Sequence, residues 1–413
     1  MSGFSKICVV GMGYIGLPTS VVFADNGVAV TGVDVNPSVV ASINEGRPHI
    51  VEPDLDHLLQ KVVRAGKLKA SITPEAADAF ILAVPTPFKA DRQPDLSYIE
   101  AAAHAIAPFL KTGDLVVLES TSPVGATEQL SAWLAAQRAD LTFPHSHGDH
   151  SDIRVAHCPE RVLPGRILRE VVENDRVIGG VAHQCAAAAH DLYSLIVRGT
   201  IHLTTARTAE MAKLTENAFR DVNIAFANEL SVICDAQNIN VWELIRLANF
   251  HPRVNILKPG PGVGGHCIAV DPWFIVALNP KEARLIRTAR EVNDSKPHYV
   301  VEQVVQAART IDRPKIACLG LSYKADVDDF RESPAVEIVE QLVKADIGDI
   351  LVVEPFIEQL PPALAGDRIA LIGLDPAIEA ADIVVLLVDH APFLSVDRAQ
   401  LNGKVVVDTR GVW

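Results

Sequence analysis

The hexapeptide Gly11-Met-Gly13-Tyr-Ile-Gly16 lies between an apolar run, Lys6–Val10, and a helical pattern, Leu17–Asn26. Few folds place three glycines at that spacing between a strand and a helix. The turn leaves no room for side chains, and the helix must start against the carboxyl end of the strand. A helix start offers free N–H groups and the positive end of a dipole, which together favour an anion. A second apolar run, Ala29–Val33, ends in Asp34. An acid there bonds a ribose 2′-hydroxyl and repels a 2′-phosphate. The expected module is a doubly wound parallel sheet with NAD held by Gly11, Gly13, Gly16 and Asp34.

The alternation continues through Ala79–Val84 and Leu115–Ser120, both strand-like. Their ends, Val84-Pro85-Thr86 and Ser120-Thr121-Ser122, are either ordinary turns or the carboxyl edge that meets the nicotinamide half. From Ala206 to Phe250 strand signals vanish and a long helical pattern takes over. From Lys315 strands and helices alternate again, with Ser333 and Pro334 placed as N-cap and first helical residue. The chain reads as α/β, with two Rossmann-like doubly wound domains joined by a central helical domain: residues 1–203, 204–300 and 301–413. A length of 413 residues suits that many domains.

The formal net charge of −14 sets nucleic acid aside as a partner and obliges any anionic ligand to find a local cluster of Arg and Lys. No apolar run reaches the ~18 residues of a membrane span. The opening MSGFSKICVV runs straight into a strand without a signal-peptide pattern. Six cysteines in unrelated contexts fit reduced thiols rather than a disulfide framework, and a cytoplasmic location is expected.

One of those cysteines stands apart. In Lys258–Phe274, KPGPGVGGHCIAVDPWF, Gly260, Gly262, Gly264 and Gly265 precede Cys267, and Asp271 follows four residues later. Such a loop permits positive φ or close approach to a ligand, and presents the thiol at a defined angle. On the helical middle, Lys213, Asn217 and Arg220 stand at i, i+4 and i+7, hence on one face. Two further clusters, His157-Cys-Pro-Glu160-Arg161-Val-Leu-Pro-Gly165-Arg166 and Ser322-Tyr323-Lys324 through Arg331, are either paired surface charges or parts of a site. His145-Ser-His147-Gly-Asp149-His150 reads as an exposed loop rather than a metal site.

NAD together with a nucleophilic cysteine points to one chemistry. Taking a primary alcohol to a carboxylate removes four electrons, and each NAD accepts two. A thiolate holds the intermediate aldehyde as a thiohemiacetal, which a second oxidation converts to a thioester. Hydrolysis then needs a base and an oxyanion partner. Lys213 and Asp271 suit those roles, and Glu160 suits orienting or activating water.

The chain resembles the UDP-glucose/UDP-mannose dehydrogenase family along its whole length. CPERVLPGR, HPRVN and KPGPGVGGHCIAVDPWF are similar to its UDP-N-acetyl-D-mannosamine dehydrogenase branch. The resemblance implies Cys267 as nucleophile, Lys213 as its acid/base or oxyanion-stabilising partner, and Asn217 and Asp271 in support. Arg161, Val162, Lys213, Asn217, Arg220, His251, Arg253, Gly264, Tyr323 and Lys324 would line the UDP-sugar site. Tyr14, Ile15, Asp34, Thr86, Thr121 and Arg331 would contact NAD. A homodimer through the central domain is implied, with the His251–Arg253 loop reaching across it. UDP-glucose dehydrogenases carry a second glutamate where this chain has Pro164, and their loop before the cysteine is longer. Both departures favour an N-acetylated hexosamine, whose uronate would suit a cell-surface polysaccharide. The alternatives are UDP-N-acetylglucosamine or another UDP-hexose, a one-step NAD dehydrogenase, and a non-catalytic UDP-sugar-binding regulator.

Overall fold

The computed structural model describes residues 3–89, 91–163, 165–265 and 267–413. The chain forms two compact units, Met1–Thr215 and Glu216–Trp413.

Among the described residues the first unit holds eight strands: β1 (Lys6–Val10), β2 (Ala29–Val33), β3 (Leu68–Ser71), β4 (Ala79–Leu82), β5 (Leu115–Leu118), β6 (Arg154–His157), β7 (Arg176–Gly180) and β8 (Ile201–Thr205). Their order in the sheet is β3-β2-β1-β4-β5-β6-β7-β8. Every pair is parallel except β6 with β7, joined antiparallel through Ala156↔Gly180 and His157↔Gly179. Side chains alternate between faces, and both faces are buried. Ile7, Val9, Ile81 and Val117 point into one core with Leu17, Val21 and Phe23 of the helix Gly16–Asp25. Cys8, Val10, Phe80, Leu82, Val116 and Leu118 point into the other. Burial on both sides is why these strands read as unbroken apolar runs.

The second unit contains β9 (Lys315–Leu319), β10 (Asp349–Val353), β11 (Ile369–Leu371), β12 (Ile383–Leu386) and β13 (Val405–Asp408), all parallel, in the order β11-β10-β9-β12-β13. Ile316, Cys318, Ile383 and Val385 face one core, and Ala317, Leu319, Val384 and Leu386 the other. The long helical pattern is one helix, Ala206–Gln237, followed by Val241–Ala248. The fold is therefore α/β, with two doubly wound sheets, the first mostly and the second wholly parallel, and a helical middle. Ser333 is the N-cap of the helix Pro334–Ala345, as expected, but its hydroxyl donates to the Leu321 carbonyl at 2.6 Å instead of capping the helix.

Candidate active site

In each sheet the strand order reverses beside the first strand, and ligands of such sheets bind in the crevice at that point. In the first unit the crevice lies between the ends of β1 and β4. Gly11 has φ +93°, and a Cβ there would sit 2.4 Å from the Ala83 carbonyl oxygen. A Cβ on Gly16 would sit 1.8 Å from the Gly11 carbonyl oxygen. Chain packing alone demands glycine at both. Gly13 differs: it is exposed, and nothing lies within 4 Å of the place a Cβ would take. That open space faces a helix start with no side-chain cap, flanked by half-buried Tyr14 and Ile15. A dinucleotide pyrophosphate fits such a cradle. Asp34 is pinned beside it, accepting from Met12 N at 3.1 Å and Asn36 N at 2.9 Å.

The two strand-end segments across the crevice are tied together. Thr86 Oγ1 donates to the Thr121 carbonyl at 2.6 Å, and Ser120 Oγ to the Val84 carbonyl at 2.6 Å. These segments thus form a braced turn at the carboxyl edge of the sheet.

Beyond β6 the chain enters a buried polar cluster. Glu160 Oε2 lies 3.1 Å from Arg176 Nη1, and Glu119 Oε1 lies 3.8 Å from the same nitrogen. Tyr193 OH donates to Glu119 Oε1 at 3.3 Å. Two carboxylates facing one guanidinium in a dry interior cannot both ionise cheaply. Burial pushes Glu119 well above the usual carboxylate range, with Arg176 opposing and Glu160 reinforcing the rise. His157 is wholly buried and falls to about 3 through burial, with the Leu118 backbone opposing and the Lys213 charge adding to the fall. Arg161 continues outward, donating to the Asp175 carbonyl at 3.1 Å. The next turn is held by Glu52, which accepts from Gly165 N at 2.8 Å and Ile167 N at 2.6 Å. Val162 packs on the core beneath, and Pro164 lies outside the described residues.

In the second unit the glycine-rich loop is shaped by packing as much as by turns. Cβ atoms on Gly264 and Gly265 would meet Tyr323 at 2.9 Å, and one on Gly264 would also lie 2.4 Å from the Glu332 carbonyl oxygen. The close approach expected of these glycines is therefore to the β9 loop. Gly265 N donates to the Arg331 carbonyl at 3.1 Å, while the Arg331 guanidinium pairs with Asp329 at 2.6 Å. Tyr323 and the Arg331 backbone thus lie beside the Cys267 loop, and the Lys324 carbonyl accepts from Ser322 Oγ at 2.6 Å. A second network holds that β9 loop. Asp326 N donates to His390 Nδ1 at 2.9 Å, which leaves Nε2 to carry the proton toward Glu354, 3.1 Å away. Glu354 also accepts from Leu321 N at 2.7 Å. It ends β10 much as Asp34 ends β2, but it is buried and turned inward.

Cys267 is half-buried, and the other five cysteines are buried. Burial pushes the thiols of Cys8 to about 11 and of Cys158 and Cys318 to about 12. The Cys267 carbonyl accepts from Val270 N at 3.0 Å and Asp271 N at 2.8 Å, a turn that opens the helix Asp271–Leu278. Asp271 is buried, and Asn217 Nδ2 donates to its Oδ2 at 2.5 Å. Along the central helix Lys213 is half-buried, Asn217 buried and Arg220 exposed. A buried ladder unforeseen in the sequence reinforces the Asn217 face. Asp221 accepts from Arg290 at 2.6 Å and Asn293 at 2.8 Å, and Asn228 accepts from Gly260 N at 2.8 Å. The signal was present as polar residues at i, i+4 and i+11 of one helix. His251 and Arg253 lie exposed in the segment after Val241–Ala248.

His145 and His147 stand on a single exposed helical turn. His145 Nδ1 lies 2.8 Å from Ser131 Oγ, and Asp149 accepts from Gln184 N at 2.7 Å. Among the described residues no His, Cys, Asp and Glu side chains group as metal ligands, and no helix is long and apolar enough to cross a membrane.

Three family models match in sequence order: the NAD binding domain of the UDP-glucose/GDP-mannose dehydrogenase family over residues 5–197, its central domain over 207–295 and its UDP binding domain over 317–413. The chain belongs to that family. GDP-mannose, not a UDP-mannose, is the second sugar in its name. The chemistry is NAD-dependent oxidation of a UDP-sugar. An NDP-N-acetyl-D-galactosaminuronic acid dehydrogenase of Ralstonia nicotianae is 66% identical over 410 residues, 99% of this chain and 96% of that one. A UDP-N-acetyl-D-mannosamine dehydrogenase of Campylobacter jejuni is 60% identical over 398 residues, covering 96% and 98%. The solved UDP-N-acetyl-mannosamine dehydrogenase Cap5O of Staphylococcus aureus superposes with a TM-score of 0.87 at 44% identity, covering 99% and 95%.

Proposed function

We propose that this chain oxidises C6 of UDP-N-acetyl-D-mannosamine twice, from alcohol to carboxylate, with Cys267 holding the carbon covalently in between. The observation that carries the reading is one half-buried thiol among six, set on a loop braced against Tyr323 and opening a helix at buried Asp271. NAD, when bound, accepts the hydride that leaves C6 in each oxidation. The Cys267 thiolate adds to the aldehyde carbon, the resulting thiohemiacetal is oxidised to a thioester, and water releases the uronate and restores the thiol. Lys213 transfers protons and stabilises the oxyanion, supported by Asn217 and Asp271. Glu160, whose Oε2 lies 3.1 Å from Arg176 Nη1, orients or activates the water.

NAD is held by Gly11, Gly13, Tyr14, Ile15, Gly16, Asp34, Thr86 and Thr121 within residues 1–203, with Arg331 contributing from 301–413. The UDP-sugar engages Arg161, Val162, Arg220, His251, Arg253, Gly264, Tyr323 and Lys324. The region 204–300 makes a homodimer. Phe219, Phe226 and Ile233 are exposed at seven-residue spacing along the central helix, an apolar stripe suited to a second copy. The reaction is placed in the cytoplasm. A second sugar is favoured by one observation, the galactosaminuronic name of the relative at 66% identity. The same residues would then act on the galacto epimer.

Intact-mass spectrometry on an acid-quenched single turnover tests the reading. A sugar-sized adduct on Cys267, absent from Cys267→Ala, is expected. NADH formation by the wild type with no adduct at any time would remove the covalent step.

A further inference from the structure

We propose that Glu210 is a positioning residue, locking the braced turn Ser120–Gly125 to the helix that carries Lys213. The inference rests on the roles given above to Thr121 and Lys213. Glu210 is fully buried in the first unit, and its carboxylate accepts three hydrogen bonds, from Gly125 N at 2.6 Å, Thr127 N at 2.8 Å and Thr127 Oγ1 at 2.6 Å.

These donors open the helix Ala126–Gln137, whose N-cap is Gly125 with φ +97° and no side chain of its own to cap it. Helices ordinarily cap themselves with a neighbouring Ser, Thr, Asp or Asn. Here the cap comes from more than eighty residues away in sequence, three positions before Lys213 on Ala206–Gln237. A local serine would satisfy the same N–H groups without burying a carboxylate, which costs several kcal/mol unless fully hydrogen-bonded. What the long-range cap adds is registration between the turn and the Lys213 helix. The other end of the turn is already fixed by the Thr86–Thr121 and Ser120–Val84 bonds. Thr121 therefore sits between two anchors, and the second moves only with the Lys213 helix.

Side-chain length and charge both matter. Aspartate falls one methylene short of the helix start. Glutamine turns its NH2 toward at least one of three donors. Misplacing a reacting group by about 1 Å costs on the order of 100-fold.

The test compares Glu210→Gln with wild type at a temperature well below both melting points, using a C6-dideuterated UDP-sugar. Expected are a kcat lowered roughly 10- to 100-fold, a KM for the UDP-sugar changed less than about threefold, and a larger primary isotope effect as hydride transfer becomes rate-limiting. Arg207→Ala, which breaks the solvent-facing Arg207–Glu128 pair between the same two helices, should leave kcat unchanged. Wild-type kcat and isotope effect in Glu210→Gln, with only a lower melting point, would reduce Glu210 to a structural cap and overturn the proposal. Should Glu210→Gln prove insoluble, Thr127→Val removes one of the three bonds and decides the matter. A smaller change in the same direction supports the proposal, and an unaltered isotope effect overturns it. Failure of the underlying reading shows separately, as unchanged kcat in Lys213→Ala or Thr121→Ala.

Discussion

Asn217 donates its side-chain amide to the Asp271 carboxylate at 2.5 Å, and Asp271 N donates back to the carbonyl of Cys267. The central helix thereby fixes the turn that presents the thiol. Removing the amide withdraws a charge-assisted bond from a buried carboxylate, at a cost of roughly 1–3 kcal/mol. Asn217→Ala should lower the urea midpoint of the second unit's transition accordingly and reduce kcat, read by denaturation and steady-state kinetics. An unchanged midpoint would mean the bond contributes nothing.

The loop glycines make a sharper case. Gly264→Ala drives a methyl toward the Glu332 carbonyl oxygen, 2.4 Å from the ideal Cβ, where only backbone movement gives relief. Activity should fall by more than tenfold, on the order expected for a displaced reacting group. NAD binding, followed by fluorescence titration, should change far less, because every proposed dinucleotide contact except Arg331 lies in the first unit.

Arg176 is wholly buried between Glu160 and Glu119. Arg176→Met leaves the Glu160 carboxylate without its counter-ion in a dry interior, and removing one partner of such a pair destabilises by about 3–5 kcal/mol. Chemical denaturation of the first unit should report that loss. A companion Glu119→Gln should be far milder, since burial already keeps Glu119 largely protonated at neutral pH.

His157 gives a pH signature. Burial holds it neutral with its proton affinity lowered to about 3, while in the unfolded chain it titrates near 6.5. The unfolded state therefore binds the extra proton first, and stability is lost as pH falls from about 6.5 toward 3. The slope approaches about 1.4 kcal/mol per pH unit below 6. His157→Gln should flatten the melting-temperature profile across pH 4.5–6.5 relative to wild type, and parallel profiles would contradict the assignment.

The first strands and turn of the dinucleotide module were legible nearly to the residue, because strands buried on both faces leave unbroken apolar runs and packing demands glycine at Gly11 and Gly16. Lys6–Val10 and Ala29–Val33 came out at the boundaries read from sequence. The cysteine loop was legible as special, though not the reason. Gly264 and Gly265 exist to admit Tyr323, a contact more than fifty residues away that no local pattern encodes. Short strands stayed hidden. β3 and β8 expose residues such as Lys69, His202 and Leu203, and carry too little apolar periodicity to stand out. Glu210 and Glu52 escaped notice because a carboxylate that caps a distant helix looks, in sequence, like any surface acid.

If one active site performs both oxidations before release, reducing equivalents must appear in fixed ratio to the sugar consumed. With limiting UDP-N-acetyl-D-mannosamine and excess NAD, two NADH per sugar consumed are expected, with uronate as the product. One NADH per sugar, with free aldehyde accumulating, would contradict it.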